Sequence, residues 1–340
     1  MIDLYSQILV DRIIDQYCTH FHLIKDFNEY QHFVTRLSLI HPITFPEDLF
    51  DRKISELEHL LMIEPEEAFD EMVNSDDNGY LKEIAQVADE DIKNYFYVTR
   101  IADDTSIFER NFKHVHRPVS GLIDRAYGVL NDTTINMMCR VSMNPDLRQL
   151  EGTVCVNGIG YLMNLRRVSD HKREQLKETF WDLYRYYLDG VSEHGLSDRN
   201  LVYGLTHCVI NLSNFYTRHL IDAMRDLPVE KFNLVRDTKE TISNLLKDRY
   251  QHGFKELTSD MLAELLVVYK LIPEHVYGDH EVYRSYDLNN YVINAAYLTL
   301  RSRIDPVYGY IRDHKEENLS LDLKRNEHTN ILYILFSSRI

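Results

Sequence analysis

Glycine and proline are scarce, 12 and 8 among 340 residues, about half their usual share in soluble proteins. So few turn-formers argue against an all-β fold and against a nucleotide-binding α/β fold built on glycine loops. Trp181 is the single tryptophan, and 17 of the 23 tyrosines follow residue 120, so any stacking platform for a sugar would be tyrosine. Cys18, Cys139, Cys155 and Cys208 lie far apart among apolar neighbours, as reduced, packed thiols do, and imply neither a disulfide framework nor a zinc knuckle. No run of about 18 apolar residues is present to span a bilayer. Basic residues are in deficit, 38 against 54 acidic for a net charge of −16, which argues against nucleic acid as a partner. The opening residues lack the basic and apolar regions of a secretory signal, so the chain reads as cytoplasmic, a secreted form with its signal trimmed being the alternative. GxGxxG, P-loop, GxSxG and HExxH patterns are absent. The Asp-rich motif of prenyl cyclases and the zinc set of lanthionine cyclases are absent too. No cofactor and no metal site is expected.

The negative charge is concentrated. Between Glu47 and Glu109 stand 19 acidic and 5 basic residues, while Ile54, Leu57, Leu60 and Leu61 recur at helical spacing, which predicts amphipathic helices with acidic outer faces. A basic protein partner on segment 47–109 is the functional alternative to a merely solvated face.

Helical periodicity continues throughout. It predicts about twelve helices, near 2–24, 27–40, 47–62, 78–103, 118–142, 149–167, 170–190, 198–219, 231–250, 258–271, 283–303 and 323–338. The segment His194-Gly195 to Asp198 resembles His252-Gly253 to Asp260: in each a glycine follows one helix and Ser, Thr or Asp precedes the next, as C-terminal and N-terminal caps require. The expectation is one large all-α domain over 1–340, with antiparallel helical hairpins over 118–340 closing into an α/α toroid or forming an open solenoid.

Segments 170–190 and 231–250 are charged on one side and read as outer helices. The uncharged helices read as inner, yet each carries a polar stripe at i, i+3, i+4 spacing. The stripes are Thr153, Asn157, Tyr161 and Asn164; Asn200, Tyr203, His207, Asn211, Asn214 and Arg218; Asn290, Asn294, Tyr297 and Arg301; Asn326, Asn330, Tyr333 and Ser337; and earlier Asp124, Tyr127, Asn131 and Thr134. Buried amides and phenols need partners. The stripes therefore either line a central cavity or bond to one another across packed helices.

Titratable groups within these faces are few: Asp124, His207, Glu264 with Asp260 one turn before, Glu327 and His328. In a partly desolvated pocket such groups serve as general acids and bases. His207 is the expected base, with Glu327 or Asp124 as acid or orienting carboxylate. Arg218 and Arg301 would bind an anionic group, and Asn157, Tyr161, Tyr203, Asn211, Asn214, Asn294, His328 and Asn330 a polar ligand.

The pieces Tyr203-Gly204-Leu205-Thr206-His207 and Asn326-Glu327-His328-Thr329-Asn330-Ile331-Leu332 resemble short signatures of an uncharacterised, all-helical bacterial family. That resemblance implies a bacterial helical-toroid protein, points to His207, Glu327 and His328, and names no reaction. The functional expectation is an enzyme that binds a polar small molecule, glycan or peptide and performs hydrolysis or elimination. The rival is a non-catalytic interaction module that uses the acidic face or a concave groove.

Overall fold

The computed structural model describes residues 4–20, 49–75, 80–111, 118–216, 220–273, 286–312 and 326–337. These residues are all-helical, with one turn of 3₁₀ helix at Gly195–Ser197, no sheet, and an isolated bridge between Ile304 and Ile311. In chain order the helices are α1 (Leu4–His20), α2 (Leu49–Leu60), α3 (Pro65–Ser75), α4 (Tyr80–Ala85), α5 (Glu90–Asn111), α6 (Ser120–Val129), α7 (Asp132–Ser142) and α8 (Pro145–Leu150). They continue as α9 (Gly152–Asn164), α10 (Asp170–His194), α11 (Arg199–Leu212), α12 (Leu220–Met224), α13 (Val229–Tyr250), α14 (Ser259–Leu271), α15 (Tyr286–Ser302) and α16 (Glu327–Ser337). No described helix is long and apolar enough to cross a membrane.

The chain divides into two compact units, Thr44–Asn214 and a discontinuous one made of Met1–Ile43 with Phe215–Ile340. Helix α9 is the centre of the first, packed against α5, α7, α10 and α11. Cys155, Val156, Ile159 and Leu162 are fully buried on it. Its glycines let neighbours come close: a Cβ at Gly158 would stand 2.5 Å from the Tyr95 hydroxyl, which instead donates a 2.9 Å bond to the Cys155 carbonyl. Helix α10 buries Leu176, Phe180, Leu183, Tyr184 and Tyr187 on one stripe, as an amphipathic helix should. Helix α11 is buried nearly all round. Part of the acidic segment turns inward, where Lys53 pairs with fully buried Asp104 at 2.6 Å and with Glu56 at 3.0 Å.

In the discontinuous unit α14 is central, buried from Met261 to Tyr269 and packed against α13, α15 and α16, while α1 lies on α16. Tyr297 of α15 stacks on Tyr333 of α16 with ring centroids 5.6 Å apart.

Polar caps account for several departures from the expected helix limits. Segment 118–142 is two helices, because Asn131 accepts from the Thr133 and Thr134 amides and starts α7. Asp89 accepts from the Ile92 amide and separates α5 from α4 within 78–103. The unexpected helices α3 and α8 each carry proline in the first turn, where its missing N–H costs nothing. The segment 198–219 leaves helix after Leu212 through left-handed Asn214, Phe215 and Tyr216. The helix expected over 27–40 lies outside the described residues. The recurrent turn is present in each unit: Gly195 and Gly253 have φ of 60° and 61°, and Asp198 and Thr258 accept from amides in the first turns of α11 and α14.

The Tyr187 ring sits where a Cβ on Gly204 would approach to 2.5 Å and one on Gly152 to 3.0 Å. Overpacking of this kind costs about 1–3 kcal/mol, so Gly204→Ala is expected to lower the urea midpoint accordingly. Gly121→Ala, with nothing within 4 Å, should be neutral or stabilising by up to about 1 kcal/mol.

Candidate functional site

The discontinuous unit brings three chemically capable side chains together. Thr258 accepts from the Met261 amide and so places Asp260 in the first turn of α14, with Glu264 one turn later on the same face. Helix α16 begins at Glu327, which places His328 in its first turn. His328 Nδ1 donates to Asp260 Oδ1 at 2.6 Å, and the Thr329 hydroxyl donates to the same oxygen at 3.3 Å. The Asp260 and His328 side chains are 30% and 31% exposed, whereas Glu264 is 1% exposed. One ligand-type atom from each of Asp260, Glu264 and His328 lies within 4.8 Å of the others, a grouping that could hold a metal ion. A carboxylate that holds an imidazole orients it for proton transfer or for ligation.

The other expected residues are spread over both units. His207 is buried in the unit Thr44–Asn214, with Nδ1 donating to Asn157 Oδ1 at 3.0 Å; Asn211 Nδ2 donates to that oxygen at 2.8 Å and to the His207 carbonyl at 2.9 Å. Asn164 donates to the Gly160 carbonyl, and Asn200 to the carbonyls of Gln149 and Leu150. The stripes of 149–167 and 198–219 thus meet each other. Tyr161 is buried and Tyr203 half-buried in the same region, and Asn214, two residues past α11, is left-handed. Asp124 is exposed and ion-paired with Arg167. In the other unit Glu327 is buried and Asn294 is exposed, with Arg301 half-buried. Asn330 is fully buried: it accepts from the Ile311 amide and donates to the carbonyls of Ile311 and Asn326. Arg218 lies outside the described residues.

No family model, curated protein or solved structure matches this chain. His207 and Glu327 belong to different units, and His207 is engaged within its own. His328 gains two carboxylate neighbours that the stripe pattern did not assign to it. The available signal was the Asp-x-x-x-Glu spacing on an otherwise apolar helix, which sets two carboxylates on one face where core residues are expected.

A further titratable group stands apart from the cluster. Glu151, half-buried between α8 and α9, has its carboxyl pushed up to about 7, chiefly by burial. Its folded value exceeds the unfolded one, so its contribution to stability is complete below the unfolded carboxylate range and is lost as pH rises through about 7. At 1.36 kcal/mol per tenfold change in proton affinity, the loss is about 3 kcal/mol. Urea unfolding across pH 5 to 8 should show wild type losing that stability relative to Glu151→Gln; parallel curves for the two proteins would remove the assignment.

Proposed function

We propose that the protein is an enzyme acting on a polar small molecule, glycan or peptide by hydrolysis or elimination, with Asp260, Glu264 and His328 as its working site. The observation that carries this reading is the convergence of the three groups from two helices, two of them reachable from solvent and the third buried. An imidazole oriented by a carboxylate is the arrangement that activates water or a substrate hydroxyl. Support comes also from a contrast: Asn157 with Asn211, and Tyr297 with Tyr333, are bonded helix to helix, whereas Asp260 and His328 keep about a third of their surface in water.

The test is a screen of glycan, uronate and peptide substrates with wild type beside His328→Ala, Asp260→Asn and His207→Ala. Loss of about 10²- to 10⁴-fold is expected for the first two variants, with near-normal turnover in His207→Ala provided its helices remain folded. Equal rates in wild type and His328→Ala would sink the proposal.

A further inference from the structure

We infer that the Asp260, Glu264 and His328 cluster binds a divalent transition-metal ion. This rests on the reading of the cluster as the working site and adds the ion to it. Ligands about 2.1 Å from an ion stand roughly 3 Å apart at right angles and roughly 4.2 Å apart across it. The separations here begin at 2.6 Å between His328 Nδ1 and Asp260 Oδ1 and stay within 4.8 Å, so small rotations about side-chain bonds suffice to surround one ion. The donors come from two helices, two oxygens from α14 and a nitrogen from α16, and one of the carboxylates is 1% exposed. Two carboxylates brought together, one of them out of water, favour a positive charge between them. A second feature distinguishes this set from an acidic surface cluster: the Thr329 hydroxyl bonds the very Asp260 oxygen that faces the imidazole, the outer support that orients ligating carboxylates in metal sites.

One imidazole with two carboxylates suits Mn²⁺ or Zn²⁺ better than Mg²⁺ or Ca²⁺, which prefer all-oxygen shells. Three protein ligands leave positions for water and substrate, and the exposure of Asp260 and His328 gives them access to solvent. An ion held this way polarises the oxygen bound to it.

Metal-free full-length protein should be titrated with Mn²⁺ and with Zn²⁺ by calorimetry, and Mn²⁺ binding followed by electron paramagnetic resonance. One ion per chain is expected. Affinity should drop by about 100-fold or more in Asp260→Asn and His328→Ala, and by about 10- to 100-fold in Thr329→Val, with helix content checked by circular dichroism. Thr329→Val, which removes one hydroxyl and no ligand, keeps the test decisive if a ligand variant fails to fold. The inference is overturned by wild type that binds neither ion, or by an affinity unchanged in all folded variants. Turnover by metal-free wild type that is lost in His328→Ala would uphold the working site and remove the ion; stoichiometric binding without turnover of any substrate would do the reverse.

Discussion

A carboxamide withdrawn from water costs about 1–3 kcal/mol unless its donors and acceptor are met, and this chain withdraws several. Asn330 illustrates the consequence. At full burial it bonds the amide and carbonyl of Ile311, the carbonyl of Asn326 and the Tyr17 hydroxyl, so one side chain fixes α1, α16 and the segment around Ile311 in a single register. Asn157 and Asn211 do the same for α9 against α11. A slip of one turn in either pair would strand these amides without partners.

The same constraint separates structure from chemistry. Polar groups that satisfy one another inside helix pairs have little capacity left for a ligand. The Asp260 and His328 pair differs by keeping contact with solvent while resting on a buried carboxylate. Its position in the first turns of α14 and α16 also matters, since helix N-termini favour negative charge and lower the cost of holding two carboxylates near each other.

The all-helical class was legible in the scarcity of glycine and proline and in the 3.6-residue spacing of residues such as Leu176, Phe180 and Leu183. The glycine turns at Gly195 and Gly253 were legible too, because few residues other than glycine adopt positive φ without strain. Helix breaks at Asn131 and Asp89 were not, since an amide or carboxylate inside a periodic stretch looks like part of a polar face until its cap bonds are seen. For the site, the sequence singled out His328, Glu264 and Asp260 as titratable groups on apolar helices but could not place α16 against α14. Their meeting depends on a contact between segments some 68 positions apart, for which no local pattern exists. A polar stripe on an apolar helix announces that it needs partners; which stripe meets which is a tertiary fact.

The discontinuous unit has a consequence for synthesis. Helix α1 leaves the ribosome long before α16, against which it packs, and at about 5–20 residues per second the interval amounts to roughly 15 to 60 seconds. Leu9, Val10, Ile13 and Tyr17, all buried in the finished protein, wait for that helix while the whole of the unit Thr44–Asn214 is made. The nascent chain thus comes to carry the unit Thr44–Asn214 together with an apolar helix that still lacks its partner, a surface suited to a chaperone.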